Sequence, residues 1–378
     1  MSPNAWIAGF RSGVISPDEQ IKLAESRAFT DQTVRQVLRL AGGGAQLRIR
    51  LTNRYGKTPL VIDAARVAMR KTGSEIVAET DTALRFDDAE RVVVPPGGEV
   101  VSDPVEFTAS AGAELALSLY LPGPTGLATF SQEPGEIAYV AAGNVASDAV
   151  LATAEEVPAR FYVVGVDVLA PAGTPVAVAF GDSWFEGAGT TVGANRRSVD
   201  FLDARLDRGW VVNQGISGNR LLTREIGDPG LERFDRDALT VPGVTSVLVN
   251  FGINDLILGG LADQPPATAD ELIAGFNALA HRAHAAGLTI HAATIGPFAG
   301  CIYEGVTVAE TLPTRRRVNE WLRRSDVFDS VFDVARAVED PERADFIRPG
   351  FDSGDGMHLN DAGARAMAES VDVAALFG

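Results

Sequence analysis

The sequence contains a single cysteine, Cys301, so no intrachain disulfide can form; a chain with a large core needs no such staple, and the compartment stays open. No apolar run approaches the length of a membrane span, and residues 1–30 lack the basic start and apolar stretch of a secretory signal. The expectation is a soluble protein, cytoplasmic as the sequence stands and secreted if a leader has been removed. Positive charge is scarce: 33 Lys and Arg against 50 Asp and Glu give a formal net charge of -17. Such a surface repels phosphate backbones and anionic lipid, which argues against nucleic-acid and membrane partners and for a neutral substrate. His281 and His284 share one face of a predicted helix, but no further His or Cys accompanies them, so neither metal nor cofactor is expected. Internal repeats and low-complexity segments are absent too.

What is present suits an ordinary soluble globular protein. A chain of 378 residues, 46% hydrophobic and 22% charged, exceeds what one core usually fills, and two domains are expected. Residues 1–30 show no sustained period and are expected to wrap a sheet. From Thr33 short segments alternate apolar with polar or small residues: 34–40, 46–52, 60–69, 91–94, 100–107 and 114–121. Glycine- and proline-rich turns such as Pro95-Pro96-Gly97-Gly98 separate them, the pattern of an antiparallel sandwich or jelly roll. Residues 161–168 look like its last strand. Ala170-Pro171-Ala172-Gly173-Thr174-Pro175 reads as a hinge, which places the domains at 1–171 and 172–378.

Past the hinge, strand-like runs (176–180, 210–213, 246–251, 289–295, 331–333) alternate with helix-like ones (197–208, 269–286, 312–324, 361–371). That order predicts a parallel sheet flanked by helices on both faces. The buried run Val176-Ala177-Val178-Ala179-Phe180 breaks directly into Gly181-Asp182-Ser183. Open α/β sheets place their ligands at the carboxyl ends of such strands, so Ser183 is the candidate nucleophile. The second strand is followed by Gly215-Ile216-Ser217-Gly218, the third by Gly252-Ile253-Asn254-Asp255, and near the C-terminus stands Asp355-Gly356-Met357-His358. A serine is a weak nucleophile until a base takes its proton, and the base works best with a carboxylate fixing its tautomer. His358 and Asp355 supply both. An oxyanion needs donors, for which the Ser183 and Gly218 backbone N–H groups and the Asn254 side-chain amide are the candidates.

These four blocks, in this order, resemble the SGNH, or GDSL-type, hydrolase superfamily across residues 176–378. The resemblance implies that Ser183, Gly218 and Asn254 form the oxyanion hole, while Asp355 and His358 complete a triad with Ser183. A wider likeness, carried by Asn213–Leu222, Arg233-Phe234-Asp235-Arg236-Asp237 and Asp352-Ser353-Gly354-Asp355, extends to a carbohydrate-esterase-like branch. Its members often carry a β-sandwich ahead of the hydrolase domain, and Leu47–Gly56 looks like a strand and turn of that sandwich. The implied fold class is α/β: a flavodoxin-like three-layer parallel sheet, the SGNH hydrolase fold, preceded by an all-β sandwich or jelly-roll domain. The implied activity is removal of short acyl groups, acetyl foremost, from a carbohydrate. A general carboxylesterase or thioesterase, and a glycan-binding protein with a silent hydrolase fold, are the alternatives; intact Ser183, His358, Asp355 and Asn254 argue against the last.

One departure from the family pattern stands beside the nucleophile. Trp184 and Phe185 put two large rings where smaller residues are usual, and these either narrow the acyl pocket or pack the first helix turn. The remaining candidates receive bland readings. His281 and His284 belong to a solvated helix face, His291 to a hydrogen-bonded strand, Arg315-Arg316-Arg317 to the wet side of a helix, and Cys301 to no chemistry. The sequence leaves the oligomeric state open.

Overall fold

The alternating first half and the mixed second half form two units in the computed structural model, which describes residues 3–377. The first comprises Met1–Asp18 and Ala24–Thr174, the second Glu19–Leu23 and Pro175–Gly378. The division falls within the expected hinge, three residues past the expected boundary at 171, because the last strand of the first unit, Val163–Pro171, runs up to Pro171. Pro171 can end that strand because its missing N–H falls at the last position, opposite Asn4. The short excursion Glu19–Leu23 has no counterpart in the expected boundaries; the Ile21 N–H donates to the Glu225 carbonyl at 3.2 Å, which ties it to the second unit.

Two antiparallel sheets dominate the first unit. One runs in the order Asn4–Arg11, Val163–Pro171, Gly44–Thr52, Val105–Ala109, with Glu99–Val101 also paired to Gly44–Thr52. The other runs Glu155–Val157, Ala138–Ala142, Gln32–Arg39, Glu114–Leu121, Ala64–Thr72, Glu75–Ile76, with Thr82–Ala83 on Ala64–Thr72. Residues 1–30 therefore do more than wrap a sheet: Asn4–Arg11 is a strand, buried at five successive positions, so no period-2 signal marks it. The expected single strands 60–69 and 100–107 are each two, interrupted at Asp63 and at Ser102-Asp103-Pro104. Charge is buried here only with partners. Asp167 is fully buried and receives Arg11 at 2.6 Å, Arg50 at 2.8 Å and Arg48 at 3.1 Å. Burial pushes its carboxyl up, but hydrogen bonds and charge from Arg50 and Arg11 outweigh that and hold it below its ordinary value.

The second unit holds a five-stranded parallel sheet in the order Trp210–Gly215, Val176–Gly181, Val244–Asn250, Thr289–Ala293, Ser330–Phe332. Val176–Gly181, second in that order and paired on both sides, is buried at every position, as a strand covered on both faces must be. The helices are α1 (Ser183–Glu186), α2 (Ser198–Asp203), α3 (Gly230–Phe234), α4 (Ile253–Ile257), α5 (Ala269–Ala285), α6 (Leu312–Arg324), α7 (Val334–Val338) and α8 (Asp361–Glu369). Helices α5 and α6 pack on each other, as do α2 and α8 and α7 and α8, so the helices form two groups. Helix α5 starts where it does because Thr268 and Glu271 cap each other reciprocally: the Glu271 N–H donates to Thr268 Oγ1 and the Thr268 N–H to Glu271 Oε2 at 2.8 Å. The expected helix 197–208 is shorter, ending at Asp203, since the Asp203 side chain turns to accept the Val211 N–H at 2.9 Å. Among the described residues no helix is long and apolar enough to cross a membrane.

Candidate active site

The turn that carries Ser183 is assembled from the ends of two neighbouring strands. Val176–Gly181 ends at Asp182, whose side chain caps α1 by accepting the Trp184 N–H at 3.1 Å. Asn250, at the end of the next strand, donates its amide to the same Asp182 oxygen at 3.1 Å. Gly181 is required at this crossing, because a Cβ there would lie 2.5 Å from the Asn250 carbonyl oxygen and 2.8 Å from the Phe185 ring. Ser183 therefore begins α1 with its N–H among the unsatisfied first-turn donors.

His358 and Asp355 reach Ser183 from the segment that precedes α8. The His358 Nε2 atom lies 3.0 Å from Ser183 Oγ, and its Nδ1 lies 2.6 Å from Asp355 Oδ2. The other Asp355 oxygen accepts the backbone N–H groups of Met357 at 3.0 Å and His358 at 2.8 Å, and the Ser353 hydroxyl at 3.0 Å. The Tyr303 hydroxyl donates to Oδ2 at 2.9 Å. Burial pushes the Asp355 carboxyl up, but His358 and these amides more than offset it and hold it well below the usual carboxylate range. An ionised Asp355 only accepts, so Nδ1 carries the imidazole hydrogen and Nε2 is left to accept the serine proton. Gly354 and Gly356 make this close turn possible with φ of 108° and 73°, and a Cβ on Gly356 would lie 2.0 Å from the Gly300 carbonyl oxygen.

The remaining predicted donors lie on two adjoining loops. Gly218 takes a φ of 77°, and any Cβ there would strike Ile226 at 2.3 Å. Among the described residues no acceptor is bonded to the backbone N–H of Ser183 or of Gly218. Asn254, buried in α4, donates its amide to the Asn219 carbonyl at 3.0 Å, which links its helix to the Gly218 loop. Asp255 beside it accepts the Leu221 and Leu222 N–H groups at 2.9 and 3.0 Å. The structure thus joins Ser183, His358 and Asp355 in one chain of contacts and ties Asn254 to the loop that carries Gly218.

Residues 179–366 match the model of the GDSL-like lipase/acylhydrolase family. This chain carries a GDSL-like acylhydrolase domain. That makes it an ester hydrolase, with the SGNH hydrolase fold in its second unit. No curated protein matches the chain. Similar solved structures include a carbohydrate esterase family 2 enzyme with its carbohydrate-binding domain from Corynascus thermopiles (Myceliophthora fergusii), at 11% identity and a TM-score of 0.41, covering 98% of each chain. The carbohydrate acetylesterase Est24 from Sinorhizobium meliloti is 15% identical with a TM-score of 0.41, over 51% of this chain and 94% of its own. The aryl esterase of M. smegmatis is 16% identical with a TM-score of 0.41, over 52% of this chain and 95% of its own. At these identities and scores the likenesses carry no substrate to the acylhydrolase domain.

Several residues that brace the candidate site were given no role in it by the sequence. Arg233, fully buried in α3, donates to the carbonyls of Gly181 and Gln214 and to Asn219 Oδ1. Glu186 accepts the Ser217 N–H at 2.5 Å and so joins α1 to the Gly218 loop. Arg315 corrects an expectation: it is not on the wet side of α6 but buried, donating to the Ile295 and Gly296 carbonyls at 3.0 and 2.8 Å and paired with Asp345 at 2.5 Å. Arg315 shares the inward face of α6 with Val318, Asn319 and Leu322, and the carbonyls past the strand end need a donor that reaches them. Arg316 and Arg317 are on the exposed side as expected. Trp184 and Phe185 are both buried, the first against Gly296 and the second against Gly181. His281 and His284 lie on the α5 surface, with His284 Nε2 2.9 Å from Asp329, and buried His291 contacts the Ser330 hydroxyl at 2.7 Å. Cys301 sits with its Sγ 3.5 Å from the Met357 sulfur. Among the described residues no group of three or more His, Cys, Asp or Glu is arranged to hold a metal ion.

Proposed function

We propose that the chain is a serine esterase that removes short acyl groups, acetyl foremost, from a carbohydrate by way of an acyl-enzyme. The observation that supports this most is the line of contacts from Ser183 Oγ to His358 Nε2, 3.0 Å, and from His358 Nδ1 to Asp355 Oδ2, 2.6 Å. In the first step Ser183 Oγ bonds to the ester carbonyl carbon while its proton passes to His358 Nε2. The negative charge moves to the former carbonyl oxygen, where the Ser183 and Gly218 N–H groups and the Asn254 amide would receive it. Collapse of this intermediate breaks the bond to the alcohol, which takes the proton from His358. A water then repeats the sequence on the acyl-enzyme, giving the free acid and restoring Ser183. Asp355 stays ionised throughout, stabilising the imidazolium. A flavodoxin-like three-layer reading of the sheet fits its strand order, in which the crossover beside Val176–Gly181 is the switch point where ligands bind.

The carbohydrate reading rests on the sequence likeness of residues 213–222, 233–237 and 352–355 to a carbohydrate-esterase branch. Its test is a panel of acetylated sugars against aryl esters of increasing acyl length, with Ser183→Ala as the control. The reading expects highest kcat/KM on acetylated sugars, falling with acyl length. In Ser183→Ala a folded protein should lose several orders of magnitude of activity. Undiminished turnover by that variant would remove the triad, and preference for long acyl chains would replace the carbohydrate reading with a general carboxylesterase.

A further inference from the structure

We infer that Trp184 is a positioning residue for His358, acting through a hydrogen bond from its indole N–H to the backbone carbonyl of Met357. The bond is 2.9 Å long and spans 173 positions of sequence. Its two ends are the chain neighbours of the two reacting groups: Trp184 follows Ser183, and Met357 precedes His358.

Three observations show that the ring is held rather than merely accommodated. Trp184 is 4% exposed, so its N–H cannot be satisfied by bulk water and has been given a fixed partner. The six-membered end of the indole lies where Gly296 has no side chain, and a Cβ at 296 would fall 2.1 Å from Cη2 and 2.6 Å from Cζ2 and Cζ3. The backbone N–H of the same residue is bonded to Asp182 Oδ1 at 3.1 Å, which fixes the start of the side chain. With both ends of the tryptophan fixed, the Met357 carbonyl is fixed too. The turn before it, with Gly354 and Gly356 in left-handed backbone conformations, is tied within itself by the Asp352 and Asp355 carboxylates, and the indole bond registers it against the segment that carries Ser183.

The consequence lies in kcat. Losing the indole bond releases the Met357 carbonyl, and a displacement of the imidazole by about 1 Å costs on the order of 100-fold in rate. The inference rests on the reading of Ser183 and His358 as nucleophile and base, and its test separates the two. Trp184→Phe keeps most of the ring and removes the N–H; replacement of Trp184 by benzothienylalanine, which carries sulfur in place of the N–H, keeps the whole ring frame should the phenylalanine variant fold poorly. Each is measured on a soluble aryl acetate in the wild-type and His358→Ala backgrounds. The expected result is a fall in kcat of about 10- to 100-fold with KM unchanged, and no further fall when His358 is already absent. An equal loss in both backgrounds, or an unchanged kcat, would overturn the role of Trp184. Full activity in His358→Ala alone would instead overturn the triad.

Discussion

The Arg233 guanidinium donates to the Gly181 carbonyl at 2.8 Å, and from the same fully buried side chain bonds reach the Gln214 carbonyl at 3.0 Å and Asn219 Oδ1 at 2.9 Å. These acceptors lie two residues before Ser183, at a strand end and one residue after Gly218, so one planar group ties the nucleophile turn to the loop beside it. The guanidinium also lies over the Phe180 ring, 4.1 Å from its centroid. Arg233→Leu removes a donor from each of three buried acceptors; the Gly181 carbonyl keeps the Ile216 N–H at 3.1 Å, and each acceptor left unpaired costs about 1–3 kcal/mol. The expected outcome is a loss that consumes a large part of a typical domain's stability, with Arg233→Lys recovering only a fraction because an ammonium cannot offer the same fork. Urea unfolding checks it. A leucine variant within about 1 kcal/mol of wild type would show that Arg233 is not the tie.

Asp182 gives the pH dependence a definite sign. Burial pushes its carboxyl up to about 7, against which the Trp184 N–H works only partly, and its Oδ2 has no hydrogen-bond partner among the described residues. The folded protein therefore holds this proton up to about pH 7, whereas an unfolded aspartate releases it near its ordinary value of about 4. Between those limits the native state binds more protons than the unfolded state, so the contribution of Asp182 is fully present below about pH 4 and is lost as pH rises to about 7. Asp182→Asn keeps an oxygen for the Trp184 N–H and removes the titration. The difference in unfolding free energy between variant and wild type should shift toward the variant, by on the order of 4 kcal/mol, between pH 4 and pH 8. A difference that stays constant across that range would mean Asp182 is ionised in the folded state.

How much of this was legible in the sequence depends on whether the signal was local. Ser183, Asn254 and His358 stand out as candidates in the sequence because each sits in a short block whose turn chemistry is carried by its neighbours: Gly181, Gly252 with a φ of 117°, and Gly356. The strand Val176–Gly181 announced itself by a buried run that ends in a turn, and α6 by its period. Asn4–Arg11 was not legible, because a strand buried on most positions carries no alternation, and neither were short strands such as Ala138–Ala142 that pairing alone defines. Arg233, Glu186 and Tyr303 were missed as parts of the site for a different reason. Their partners are backbone groups, a side-chain amide or a carboxylate 14 to 52 residues away, and no spacing rule encodes such a contact. The inward turn of Arg315 was likewise hidden, since three arginines in a row look alike until the helix face is known.

Gly296 is a second consequence of the tryptophan beside the nucleophile. A methyl group at 296 would overlap the Trp184 ring at 2.1 Å, and neither partner has room to yield: Trp184 is bonded at both ends and the Gly296 carbonyl accepts from Arg315. Gly296→Ala should therefore destabilise by about 1–3 kcal/mol, as overpacked cores do. Shrinking the ring in a Gly296→Ala, Trp184→Leu double variant should return part of that loss, a coupling that thermal unfolding of the four proteins reads directly. Additive losses would show that the two residues do not share the space.

Asn254 poses the question of a donor to the reaction against a structural amide, and the geometry makes the question sharper. Its amide already donates to the Asn219 carbonyl at 3.0 Å, so one of its two N–H bonds is spent on holding the Gly218 loop and the other remains for an oxyanion. If that second N–H meets the developing charge, Asn254→Ala should lower kcat by about 100- to 1,000-fold with little change in KM. The ground-state carbonyl gains far less from the donor than the tetrahedral oxyanion does. If the amide serves only the loop, the same substitution should lower the melting temperature while activity per folded molecule survives. Measuring kcat, KM and thermal unfolding on the same preparations decides the matter: a less stable protein with unchanged kcat would take Asn254 out of the reaction and leave the oxyanion to the backbone N–H groups of Ser183 and Gly218.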